Sequence, residues 1–188
     1  MTRDKLMEEL KLYRGEAAEM QHIAPMIQLL QNNPDCFWRH DFNPGHVTGS
    51  SLLINQTGDK VLLNRHAIYN SWITFGGHAD GDEDVRAVAL REAFEESGIA
   101  EEHITFVTRD IFDVDIHPIA ANAKKQEPAH YHFDLVFLFR SATENFTISD
   151  ESTDLRWCNF EEAQHLLQQQ NDPRMLRVIS KWKNSFDV

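Results

Sequence analysis

Near the middle of the chain three glutamates, Glu92, Glu95 and Glu96, fall at i, i+3 and i+4. On a helix this spacing turns all three carboxylates to one face. Residues 84–97 read as such a helix, and Gly98 after them suits a left-handed C-cap. Like charges crowded together are costly unless cations neutralise them, so the spacing points to bound metal. Carboxylate oxygens are hard ligands that suit Mg2+ or Mn2+, which keep waters and bridge to substrate phosphates. Arg91 can pair with a carboxylate one turn away and hold it in place. Taken alone, the stretch also reads as a solvated acidic helix laced by Arg–Glu pairs.

The rest of the chain frames this helix with strands. Residues 47–55 read as a strand, 57–59 as a turn and 60–65 as its hairpin partner. A short apolar run at 72–75 precedes Gly76 and Gly77, which allow a tight loop ahead of the helix. Phe112, Val114 and Ile116 alternate with Asp113, Asp115 and His117, predicting a half-buried strand. Residues 121–128 form a polar loop, 130–140 alternate again, and 155–159 make a shorter strand. Helices are predicted over 161–170 and 173–185, and over 3–32, where Pro25 is expected to divide the helix in two. The fold class is α/β, more closely α+β: a mixed β-sheet with helices on its faces. The 188 residues suit one domain, with a helical extension at 1–36, a core at 47–162 and C-terminal helices at 163–188.

Composition narrows the partners. A formal charge of −12 and the lack of a basic stripe argue against polymeric nucleic acid. A small phosphorylated ligand stays open, because cations can bridge two negative partners. No apolar run approaches a membrane span, and the first residues lack the apolar stretch of a signal peptide. Cys36 and Cys158 read as reduced thiols, so the expected location is cytoplasmic. The last helix, with Met175, Leu176, Val178, Ile179 and Trp182, reads as packing and also offers a homodimer face.

The segment from Gly77 through Glu83, Arg91, Glu92, Glu95, Glu96 and Gly98 to Ile99 resembles the Nudix box, G-x5-E-x7-R-E-U-x-E-E-x-G-U, with every fixed letter in place. Ala93 is the departure, small where the pattern has a bulky aliphatic. The resemblance implies the Nudix fold, a mixed sheet sandwiched by helices, and water attack on phosphorus that cleaves a diphosphate linkage. The substrate class it implies is a nucleoside diphosphate derivative or similar small molecule. It also implies metal held by Glu92, Glu95, Glu96 and the Gly76 carbonyl, and an acidic residue from a downstream loop, for which Glu151 is the candidate. A Nudix domain that only binds nucleotides is the non-enzymatic alternative.

Histidines form a second constellation. His130, His132 and Asp134 alternate on one strand face, with Asp113, Asp115 and His117 on the strand expected to pair with it. His46 opens the first sheet strand, and His78 lies just inside the box. These positions resemble the metal-holding residues of isopentenyl-diphosphate isomerase, with His40 a looser candidate and imidazoles at 130 and 132 where the isomerase has carboxylates. Gly76 replaces that enzyme's proton-transferring cysteine, which speaks against isomerase activity. The histidines then either hold Zn2+ or a similar transition metal, contact substrate phosphate, or line a polar strand face. Phe37, Trp38 and Phe42 either stack a base or belong to the core.

Overall fold

The structure is a computed structural model describing residues 1–68 and 70–186. Its secondary structure is mixed α+β. The strands are β1 (Gly45–Ile54), β2 (Val61–His66), β3 (Ser71–Ile73), β4 (Phe75–His78), β5 (Ile104–Phe106), β6 (Asp113–Ile119), β7 (His130–Ser141) and β8 (Ser152–Cys158). The helices are α1 (Arg3–Leu12), α2 (Ala17–Asn32), α3 (Val85–Ser97), α4 (Phe160–Gln168) and α5 (Pro173–Phe186). Among the described residues the strands hydrogen-bond in the order β3-β2-β1-β7-β5, with β4 on β1, β6 on β7 and β8 on β2. The backbone gathers into two compact units.

The first unit comprises Met1–Ser50, Gly76–Ala89 and Asp110–Phe137. The side chain of Thr2 caps α1 by accepting from the Lys5 amide, and Leu6 and Leu10 are fully buried. The helical run does not break at Pro25 as its sequence suggests. It breaks at residues 13–16, and α2 restarts with a capping box between Glu16 and Glu19. A proline inside a helix costs about 3 kcal/mol. Ile23, Met26, Leu29 and Leu30, on both sides of it, are all buried, and each apolar side chain contributes about 1.5–3 kcal/mol. Burial wins, and Pro25 itself faces solvent.

In the same unit β6 runs antiparallel to β7, with Asp115 opposite Asp134, His117 opposite His132 and Ile119 opposite His130. The pairing and shared polar face are those read from the alternation, but Asp113, Asp115 and Asp134 are buried. Gly76 and Gly77 are strand residues of β4 rather than a loop. A Cβ at Gly76 would collide with the Ser50 hydroxyl and stand 3.1 Å from Ser50 Cα, so the glycine serves close backbone approach. The tight turn comes later, at Asp80 and Gly81, where φ is +50° and +91°.

The second unit comprises Ser51–Phe75, Leu90–Arg109 and Leu138–Val188. β2 pairs with β8 from Val61 opposite Cys158 to Arg65 opposite Asp154, and the register shifts between Arg65 and His66. Asn159 and Glu162 form a capping box that starts α4, a feature worth about 1 kcal/mol. Trp182 on α5 is fully buried and donates its indole N–H to the Gly58 carbonyl at 3.1 Å. Gly98 ends α3 at φ +63°, as its sequence position predicts. The short β5 and the 3-10 turn Glu101–His103 before it have no counterpart in the hydrophobic pattern.

Candidate functional site

In the second unit the C-terminal part of α3 presents the glutamates. Ala93 and Ser97 are fully buried, so the helix packs on that side and turns the carboxylates elsewhere. The small side chain at 93, the one departure from the box, lies in this packed face. Glu95 is exposed, Glu92 half-buried and Glu96 buried at 5% exposure. Arg91 donates to Glu92 at 3.0 Å and approaches Glu95 at 3.9 Å, the one-turn pair its position predicts. Glu96 accepts a hydrogen bond from Asn64 Nδ2 of β2 at 3.3 Å.

Asn64 was not legible as a site residue. It ends the apolar run Val61-Leu62-Leu63, is fully buried, and its Oδ1 has no hydrogen-bond partner. A lone amide closing an apolar strand is the one signal that marks it. Burial pushes the Glu92 carboxyl above its ordinary value; Arg91 pulls it down, while Glu95 and Glu151 push it up further. Glu151, in the exposed turn before β8, is therefore close enough for its charge to act on Glu92. Crowded carboxylates and an orphaned amide oxygen form an oxygen-rich donor set that fits a hard dication.

The other box residues lie in the first unit. Gly76 sits on β4, half-buried. Glu83 accepts from the Arg3 backbone N–H at 3.0 Å and pairs with the Arg3 guanidinium at 3.4 Å. Val88 and Ala89 of α3 are fully buried. A Cβ at Gly49 would stand 3.2 Å from the Ala89 amide, so that glycine lets β1 approach the helix.

The first unit also brings four histidines together. Ring centroids of His46 stand 4.9 Å from His130, 4.9 Å from His132 and 5.0 Å from His78. Gly45 makes this possible: its φ is +151°, and a Cβ there would stand 2.7 Å from the Tyr131 amide nitrogen, so the start of β1 lies directly against β7. His46 Nδ1 is 2.9 Å from the Asp41 carbonyl, and His130 Nδ1 is 2.8 Å from the Pro128 carbonyl. His78 Nδ1 is 2.6 Å from an Arg39 guanidinium nitrogen.

Desolvation lowers the pKa of His46; with neighbouring positive charge, it takes His78 to about 3 and His132 to about 2. All three are neutral imidazoles at pH 7. Beneath them Asp134 accepts from Thr48 and Ser50, each at 2.8 Å, and Asp115 lies 3.0 Å from His117 Nδ1. His40 is exposed and stacks on Trp38 at 5.8 Å, so it is not part of the described cluster. Of the three aromatics, Phe37 is core, Trp38 is 44% exposed, and Phe42 lies 5.0 Å from the His130 ring.

Glu92, Glu95 and Glu96 thus stand on one helix, α3, closed by the left-handed Gly98, as the box resemblance expects. The sequence matches the NUDIX domain family over residues 45–180, and the chain belongs to the Nudix family, as a pyrophosphohydrolase. No protein of curated function matches its sequence. Among solved structures it is similar in fold to a C. elegans Ap4A hydrolase in a binary complex, at TM-score 0.60 and 19% identity, covering 75% of this chain and 97% of that one. A MutT protein from Methanosarcina mazei Go1 gives 0.57 and 19%, over 74% and 93%. A Nudix-family hydrolase from Clostridium perfringens gives 0.51 and 21%, over 79% and 97%. No described helix is long and apolar enough to cross a membrane.

Proposed function

We propose that this chain acts as a single, metal-dependent Nudix domain that cleaves a diphosphate linkage in a nucleoside diphosphate derivative or similar small molecule. The observation that carries the reading is the end of α3, where the charges of Glu95 and Glu151 act on Glu92 and Glu96 is buried against Asn64. Mg2+ or Mn2+ would be held by the carboxylates of Glu92, Glu95 and Glu96. When bound, such dications neutralise charge on the phosphoryl oxygens and lower the pKa of the attacking water.

The protein's own groups do the positioning. Arg91 fixes the Glu92 carboxylate and balances part of the charge of Glu95. Asn64 donates to one oxygen of Glu96 and so orients the other. Glu151, on an exposed turn close enough for its charge to act on Glu92, would accept the proton of the attacking water. Fold similarity to an Ap4A hydrolase supports including dinucleoside polyphosphates among the substrates tested.

The test is hydrolysis of a panel of nucleoside diphosphate derivatives and dinucleoside polyphosphates in 18O-water with Mg2+ or Mn2+. Label should appear on a phosphoryl product, because water attacks phosphorus. Label confined to the organic fragment, or no turnover of any diphosphate with either metal, overturns the reading.

A further inference from the structure

Two of the clustered histidines are set up as acceptors, and a third leaves a buried ring nitrogen unpartnered beside them. A carbonyl oxygen only accepts hydrogen bonds, so His46 Nδ1, 2.9 Å from the Asp41 carbonyl, and His130 Nδ1, 2.8 Å from the Pro128 carbonyl, must each carry the ring proton. Their Nε2 atoms then carry lone pairs. His46 is 1% exposed and its Nε2 is buried without a hydrogen-bond partner; His132 Nε2 is likewise buried and unpartnered. Leaving such an atom unsatisfied costs about 1–3 kcal/mol. One ligand atom from each of His46, His130 and His132 lies within 4.8 Å of the other two.

The chemistry of the gap follows from the tautomers. A phosphate oxygen needs donors, and an imidazole lone pair repels it; a cation is what converging lone pairs attract. Nitrogen ligands of this softness select transition metals over Mg2+. A backbone carbonyl on the far ring nitrogen is also the usual orienting contact of a metal-bound histidine. His78 is excluded by the same reasoning. A guanidinium only donates, so His78 Nδ1 accepts from Arg39 at 2.6 Å and its proton sits on Nε2.

We infer that His46, His130 and His132 form a three-imidazole site for a divalent transition metal of the zinc class. The fourth position is left to water or an exchangeable anion, as in zinc sites that keep an open position. Zinc–nitrogen bonds of about 2.0–2.1 Å require the three nitrogens, now within 4.8 Å of one another, to draw together on binding.

The experiment uses chain produced without a histidine tag, stripped with chelator, and titrated with Co2+ in a large excess of Mg2+. One equivalent of Co2+ should bind, give visible ligand-field absorption and be displaced by Zn2+. His46→Ala and His132→Ala should each lose the absorption with unchanged far-ultraviolet circular dichroism. His103→Ala, on the exposed 3-10 turn, should keep it. X-ray absorption of the Zn2+-loaded wild-type chain, which needs no variant to fold, should show an imidazole shell at about 2.0–2.1 Å. An all-oxygen shell, displacement by Mg2+, or equal metal content in wild type and the His46→Ala/His132→Ala double variant overturns the assignment. Because the readout is bound metal and not turnover, its failure leaves the hydrolase reading standing.

Discussion

Glu96→Gln removes one charge from the crowded face of α3 at nearly constant volume. Glu92 and Glu96 are one turn apart, with about 5–6 Å between their Cβ atoms. Two unit charges at about 6 Å repel by about 0.7 kcal/mol in bulk water and about 2.8 kcal/mol at an effective dielectric near 20. Glu96 is only 5% exposed, which favours the larger figure, while the half-buried Glu92 favours the smaller. The glutamine carbonyl can still accept from Asn64, so that hydrogen bond persists. The metal-free variant should therefore gain about 1 kcal/mol, or about 2–4 °C in Tm for a chain of this size. With metal the sign reverses. Mn2+ should stabilise the variant less than wild type, and kcat should fall by on the order of 10^3-fold or more. Differential scanning fluorimetry in chelator and in Mn2+, with phosphate release on any turned-over substrate, reads all three. A fully active variant, or one whose metal-free Tm falls, refutes the placement of Glu96 in the metal-binding face.

Other perturbations test separate parts of the structure. The folded state holds Glu92 protonated above the ordinary carboxylate range, so metal-free stability should fall as pH rises through that window, and Glu92→Gln should flatten the dependence; an unchanged profile counts against the burial argument. Arg91→Ala removes the group that pulls Glu92 down, so the acid limb of the pH–rate profile should move to higher pH, measured as kcat/KM from pH 5 to 9. Burial raises both Cys36 and Cys158 to about 11, so neither should react with a thiol reagent at pH 8 until denaturant is added; rapid native labelling contradicts the packing. Gly45→Ala places a Cβ against the Tyr131 backbone at a left-handed φ, which should cost about 1–3 kcal/mol in denaturant unfolding and perturb the histidine cluster.

Legibility followed the length and regularity of the signals. The α3 glutamates and Gly98 were readable because helical spacing and a capping glycine are local. The β6–β7 face was readable because alternation over several residues fixes both strand and side. The strand Ile104–Phe106 was not, since three residues carry no period. Pro25 misled because its local cost is outweighed by burial of α2 against β6, a tertiary effect. Gly76 misled for a related reason: a glycine required for close approach to Ser50 looks, in sequence, like a glycine required for a turn. Asn64 was hidden because its role depends on Glu96 reaching it from another element.

The carbonyls of Asp41 and Pro128 that set the proton positions of His46 and His130 belong to the main chain. No side-chain substitution at either position deletes such an oxygen, so a residue-by-residue mutational scan would pass over both. What displaces them is a change in chain path. Lengthening or shortening the segment at residues 41–45, or the loop at 121–129, would rotate a carbonyl away and let the ring proton migrate to Nε2, turning an acceptor into a donor. The histidine cluster is thus tolerant of composition at these two positions and intolerant of loop length, and insertions would alter its ligand preference while every histidine stayed in place.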